Sequence, residues 1–183
     1  MTDDPDSPSF NVIVRVEDET WLRDLPQVEA LCREAALAAL AHAGVAGAKA
    51  GAGELGLLLT DDAAVQALNR DYRGHDRPTN VLAFGLGEPA KAAVSGDPPV
   101  LLGDVVLARQ TLQREAAEQA KAPRDHLRHL VVHGVLHLLG FDHQAEAAAT
   151  EMEAAEVAIL AGLGVADPYG RGQPAGSLAG AAS

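Results

Sequence analysis

VVHGVLHLLGFDH (131–143) sets three histidines into a stretch otherwise built almost wholly from Val, Leu, Gly and Phe. His133 and His137 are four residues apart. On a helix that spacing turns them about 40° from one another, one pitch along the same face. Gly140 ends such a helix three residues later and lets the chain turn back. His143 then approaches from a loop, in a different direction. Two imidazoles from a helix and one from beyond a glycine turn make three sides of a tetrahedron, with the fourth left open, as in a catalytic zinc site. Three neutral ligands leave the charge of the ion in place, which lowers the pKa of a coordinated water toward about 7. A single histidine on an apolar face is normally a core residue with its nitrogens satisfied. Three at this spacing, around a helix-ending glycine, point to a metal. Val132, Val135, Leu136, Leu138 and Leu139 are core residues under either reading.

The pattern H-x-x-x-H-x-x-G-x-x-H is the spacing of the metzincin metalloproteases. One position departs. The residue after the first histidine should be Glu, the general base of peptide hydrolysis. Here it is Gly134, which moves no proton. A glycine inside a helix also costs about 1 kcal/mol against alanine. A close approach, by a neighbouring element or by substrate, is the expected reason for it.

Working outward, Pro123 suits the first turn of the histidine helix, which is predicted to run to about Leu139. RQTLQREAAEQAK (109–121) reads as the helix before it. A last helix covers roughly 145–162 and stops near Gly162 and Gly164. FNVIVRVED (10–18) alternates and is rich in β-branched residues, so it reads as a strand. Pro26 opens a helical pattern closed by Gly44. ELGLLLTD (54–61) is a buried strand, and Thr60, Asp61 and Asp62 offer a cap for the helix AAVQALNRDY. RGHDRPT (73–79) is a loop, broken by Gly74 and Pro78. NVLAFGL (80–86) and VLLGDVVLA (100–108) are strands joined by the polar EPAKAAVSGDPP (88–99). Gly103-Asp104 suggests a bulge or bend. The order is β-α-β-α-β-β-α-α-α. It predicts one α/β (α+β) domain, 10–164, with a small mixed sheet of about four strands, about five helices, and an antiparallel pairing of the two middle strands. Residues 1–9 are expected to be a disordered N-terminus and 165–183 a flexible Gly/Ala/Pro-rich tail.

The 183 residues suit one domain with a real core, and 48% of them are apolar. A net charge of −12 excludes nucleic-acid binding through an overall basic surface and leaves room only for a local basic patch. Cys32 is the single cysteine, so no internal disulfide forms; it reads as a small buried hydrophobe in a reducing compartment. No apolar run approaches the ~18 residues that span a bilayer. MTDDPDSPS has no apolar segment of a targeting signal. The expectation is a soluble, cytoplasmic protein with no membrane partner.

HGVLHLLGFDH resembles the signature of the YbeY family of bacterial rRNA maturation factors, which are metal-dependent endoribonucleases. LNRDYRGHDRPTNVLAF (68–84) resembles the second motif of that family, and LLGDVVLA (101–108) its third. The likeness covers roughly residues 10–160, with the motifs in the family's order. It implies a metzincin-like fold, with His133, His137 and His143 as ligands of one zinc ion per chain, nickel being the alternative. It implies Arg73 as the functional arginine, acting with His133 and His137 in catalysis. The implied substrate is single-stranded RNA rather than DNA, above all the 16S rRNA precursor of the small ribosomal subunit. The chain departs from the family's usual pattern at His75 (often Lys), at Ala83 (often Ser) and at Gly85 (often Pro).

Cleavage of RNA requires stabilisation of negative charge building at phosphorus, which a metal ion and an arginine fork supply. Arg70, Arg73 and Arg77 cluster in a chain with only 14 Lys and Arg, so a localised positive cleft on an acidic body is predicted. The bland alternative is a solvated loop with local pairs to Asp71 and Asp76. Asp142 either orients an imidazole or caps the turn. His129, four residues before His133 on the same face, either lines the cleft or is a buried, hydrogen-bonded histidine, and the second reading is preferred. No general base emerges. Activated water attacking the phosphate and deprotonation of the ribose 2′-hydroxyl both stay open. Two rival functions are a ribosome-assembly or RNA-binding factor with a structural metal, and a zinc peptidase, against which Gly134 argues.

Overall fold

The computed structural model describes residues 10–45, 53–86 and 100–170. The expected N-terminal segment, the whole of the 88–99 connection and the end of the tail lie outside these residues. In chain order the elements are β1 (Phe10–Val16), α1 (Thr20–Asp24), α2 (Val28–His42), β2 (Gly53–Thr60), α3 (Asp62–Arg73), β3 (Val81–Gly85), β4 (Val100–Ala108), α4 (Arg109–Glu118), α5 (Pro123–Leu138) and α6 (Glu146–Gly162). The strands form one mixed sheet in the order β1-β2-β4-β3. β1 and β4 run parallel to β2, and β3 closes one edge antiparallel to β4.

Alternation along the strands sorts the core into two layers. Leu55, Leu57, Leu59, Val105 and Leu107 point into the main core with residues of α2, α5 and α6. Leu58, Leu82, Val106 and Ala108 point to the opposite face, where Val65 and Leu68 of α3 cover them. The register between β2 and β4 slips from Glu54↔Leu101 to Leu55↔Gly103, leaving Leu102 as the extra residue of a bulge. The sequence signal at Gly103-Asp104 marks that bulge. Cys32 is fully buried in α2, and burial pushes its thiol up to about 12.

The described residues hold six helices against an expectation of about five; the additional one is Thr20–Asp24, a single turn. Its cause is tertiary: Trp21 is buried and its Nε1 donates to the carbonyl of Thr60 at 2.9 Å. α2 begins at Val28, and Pro26, which opens the expected helical pattern, lies in the turn just ahead of it. Finally, residues 165–170 pack against the body. Val165 is buried, and Lys121 Nζ donates to the Pro168 carbonyl at 2.9 Å.

Helix α5 crosses the sheet over β3 and β4, and Gly134 sits at the crossing. A Cβ there would meet Val105 Cγ1 at 2.6 Å and Val81 Cγ2 at 3.3 Å. The neighbouring element is thus the reason for a glycine in this helix. Gly134→Ala gains about 1 kcal/mol in helix propensity. It loses about 1–3 kcal/mol by overpacking against a stiff β-branched residue. The expected result is a melting temperature a few degrees lower, read by calorimetry, in the opposite direction to that of an exposed helical Gly→Ala.

Candidate metal centre

Helix α5 starts with Pro123 at its first turn and ends in a glycine turn. Gly140 has φ 93°, a left-handed conformation that favours glycine. Its N–H donates to the His137 carbonyl, and the Phe141 N–H to the Leu136 carbonyl, which is the Schellman pattern. This turn carries His143 back beside the helix. Ring centroids stand 4.6 Å apart for His133 and His137, 4.9 Å for His137 and His143, and 6.0 Å for His133 and His143. One ring nitrogen from each lies within 4.8 Å of the others. The Nε2 atoms of His133 and His137 are 3.1 Å apart. Tetrahedral zinc–imidazole geometry puts ligand nitrogens ~3.4 Å apart, so the donor set fits one such ion.

Burial first, then the neighbouring His133 and His143, pushes the His137 imidazole down to about 4. It is therefore neutral, with a free lone pair, near neutral pH. An unfolded histidine titrates near 6.5, so below that value the unfolded chain takes up a proton that the folded chain refuses. Stability of the metal-free protein is expected to fall as pH drops from about 6.5 toward 4. Urea midpoints across that range should show the slope, and His137→Gln should flatten it.

Arg73 is the last residue of α3, where Gly74 caps the helix at φ 72°. The Asp61 side chain caps the other end, accepting from the Ala64 N–H at 2.8 Å. Arg73 Nη2 donates to the Ala83 carbonyl at 3.0 Å, and its guanidinium carbon lies 5.9 Å from the Phe84 ring centre. Arg70 instead takes the local partners, Asp71 at 3.0 Å and Asp76 at 3.9 Å. Arg73 is thus directed across β3, and it lines one cleft of about 460 Å³ with His133, Gly134, His137 and His143. Val81, Ala83 and Gly85, alternate residues of β3, form the facing wall, with Thr79 and Asn80 beside them. No Asp or Glu is among these lining residues. The four site residues singled out from the sequence therefore share one cleft.

Asp142 accepts from the Gln144 N–H at 3.0 Å, so the turn-capping alternative is the one observed. His129 sits largely buried, with Nε2 3.3 Å from Glu156. The residues that sequence reasoning missed are Asn80 on the cleft wall and the carboxylates Glu115 and Glu156. Asn80 donates to the Glu115 carboxylate at 3.0 Å, and Glu115 faces His126 Nε2 at 2.8 Å. Glu156 is fully buried, 2.5 Å from His133 Nδ1. Its burial raises the carboxyl pKa, but hydrogen bonds from His129, His133 and Tyr169 outweigh that and hold it down at about 2. A sequence signal for Glu156 exists: it stands on the apolar stripe of α6, among Met152, Ala155, Ile159 and Leu160.

Fold and site together define a class: small α+β proteins whose long helix presents H-x-x-x-H, with a third histidine beyond a glycine turn and an arginine on the opposite wall. The endoribonuclease YbeY family profile matches residues 15–164. The endoribonuclease YbeY of Rhodospirillum rubrum is 55% identical over 152 residues, 81% of this chain and 76% of the relative. That of Paramagnetospirillum magneticum is 48% identical over 162 residues, 88% of this chain and 97% of the relative. That of Azorhizobium caulinodans is 49% identical over 162 residues, 87% of this chain and 96% of the relative. The chain belongs to the endoribonuclease YbeY family. The solution structure of TM1509 from Thermotoga maritima shares the fold at 19% identity, covering 90% of this chain and all of that one with a TM-score of 0.50. No helix among the described residues is long and apolar enough to cross a membrane.

Proposed function

We propose that the cleft is the active site of a metal-dependent endoribonuclease that cuts single-stranded RNA, acting in the cytoplasm on the 16S rRNA precursor of the small ribosomal subunit. Family membership makes the chain an endoribonuclease, a hydrolase of RNA phosphodiester bonds. The observation that carries the finer reading is the composition of the cleft wall. Three histidines and Arg73 line it without a carboxylate, in a protein of net charge −12. A polyanion avoids such a body except where positive charge is collected.

His133, His137 and His143 hold the ion, for which zinc is proposed; nickel suits the same imidazole set. The ion supplies Lewis-acid charge and activates water when bound. Arg73, with its fork exposed at the mouth, binds a non-bridging phosphate oxygen pair and stabilises the charge that grows there. Its hydrogen bond to Ala83 and its place over Phe84 hold that fork in register. Thr79 and Asn80 offer polar groups along the same wall. A peptidase reading is disfavoured twice. Gly134 replaces the base, and the Ala83 carbonyl on the edge strand, where an extended peptide would pair, already accepts from Arg73.

The test is cleavage of end-labelled RNA, single-stranded and duplex, by zinc-loaded and chelator-stripped protein. Internal cuts confined to the single strand and lost on stripping are expected. A cyclic phosphate at the new end would mark attack by the 2′-hydroxyl, and a plain phosphate direct hydrolysis. Intact RNA together with binding to small subunits would replace the enzyme by an assembly factor.

A further inference from the structure

Helix α6 buries a carboxylate where an apolar residue would be ordinary. Glu156 is 0% exposed among Met152, Ala155, Ile159 and Leu160. A buried charge is costly unless donors surround it. Three do. His133 Nδ1 lies 2.5 Å from Oε1, His129 Nε2 lies 3.3 Å from Oε2, and the Tyr169 hydroxyl donates to Oε2. Tyr169 belongs to the segment that follows α6. That segment is held by the buried Val165, by Lys121 on the Pro168 carbonyl, and by an Asp167 turn that accepts from the Tyr169 N–H at 2.8 Å. The Tyr169 ring also meets His129 edge-on, with centroids 5.7 Å apart. Tyr169, Glu156, His133 and His143 line one small cavity of about 240 Å³, which shares only His133 and His143 with the lining of the Arg73 cleft.

A carboxylate that accepts the Nδ1–H of an imidazole fixes its tautomer and its ring orientation, leaving Nε2 as the ligand atom. In this chain that nitrogen of His133 faces Nε2 of His137 at 3.1 Å. We propose that Tyr169 is a positioning residue of the metal centre: its hydroxyl holds Glu156, Glu156 holds the His133 ring with Nε2 turned to the other two histidines, and the segment after α6 thereby sets metal affinity. This rests on the reading of the three histidines as the metal site. The nearby Asp142, spent on its own turn, leaves this role to a residue 23 positions away.

The test measures zinc affinity by chelator competition for the full chain, Tyr169→Phe and Glu156→Gln. It is paired with melting temperatures of the metal-free proteins and nitrogen-15 NMR of the His133 tautomer. Loss of an outer partner of this kind weakens metal binding about 10–100-fold, which is expected for Glu156→Gln. Tyr169→Phe keeps the ring and is expected to cost about 3–10-fold, a smaller share of the same effect. The metal-free melting temperature of Tyr169→Phe should stay close to wild type, whereas that of Glu156→Gln should fall, because the buried charge it removes is stabilised by three hydrogen bonds. In Glu156→Gln, His133 should lose its single tautomer. If wild type binds zinc and Tyr169→Phe binds it equally well, the inference falls and the metal site stands. An affinity loss in Tyr169→Phe that only follows a lowered metal-free melting temperature overturns it too, since Tyr169 would then be a packing residue. Wild type that takes up no zinc overturns the metal site itself, and this inference with it.

Discussion

His137→Ala is expected to abolish tight metal binding and, with it, RNA cleavage. Structural zinc sites with four ligands bind with about 10–16 kcal/mol, or roughly 3 kcal/mol per ligand, so one lost imidazole lowers affinity by at least ~10²-fold. His137 is the right probe because its ring lies nearest to both partners, with centroids 4.6 and 4.9 Å away. It also stands in the last turn of α5, still inside the helix, where alanine is a good helix former. The fold should therefore persist. Its circular dichroism should match that of wild type while elemental mass spectrometry reads no stoichiometric metal. A variant that keeps one tightly held ion per chain would place the metal elsewhere.

Arg73→Ala is expected to slow cleavage about 10²–10³-fold, the loss seen when a preorganised donor to developing charge is removed. Metal content should not change, because Arg73 reaches the cleft from α3 and touches β3 rather than the histidines. Melting temperature should hardly move, since the side chain is exposed and surface changes are usually worth within about 0.5 kcal/mol. Arg73→Lys should recover only part of the rate, because a point charge replaces a two-pronged fork. Single-turnover rates at saturating RNA separate this from a binding defect. A full rate in Arg73→Ala would leave the arginine as a fastener of the edge strand.

The trio was legible because its geometry is local. The helix period places His133 over His137, and Gly140 permits only one kind of ending. The strands were legible from alternation and apolar runs, and β4 matches its expected span, 100–108. What the sequence could not show depends on distant partners. The one-turn α1 exists because Trp21 finds the carbonyl of Thr60, 39 positions on. The order β1-β2-β4-β3 is a matter of which strands meet, and nothing in a strand states that. Tyr169 was assigned to a tail by its Gly- and Pro-rich setting, yet its hydroxyl meets a carboxylate inside the domain. Glu156 is the instructive case. A charge on the apolar stripe of α6 is visible in the sequence and announces a buried partner, though not that the partner is His133.

The most direct test of the central claim is a titration of metal-stripped protein with zinc, reading single-stranded RNA cleavage at each addition. The rate should rise in proportion to bound metal and break at one equivalent per chain, because the described residues bring three imidazoles to one point. Cleavage that is already full in the stripped protein would contradict a metal-dependent nuclease built on His133, His137 and His143, as would one bound equivalent with the RNA left whole.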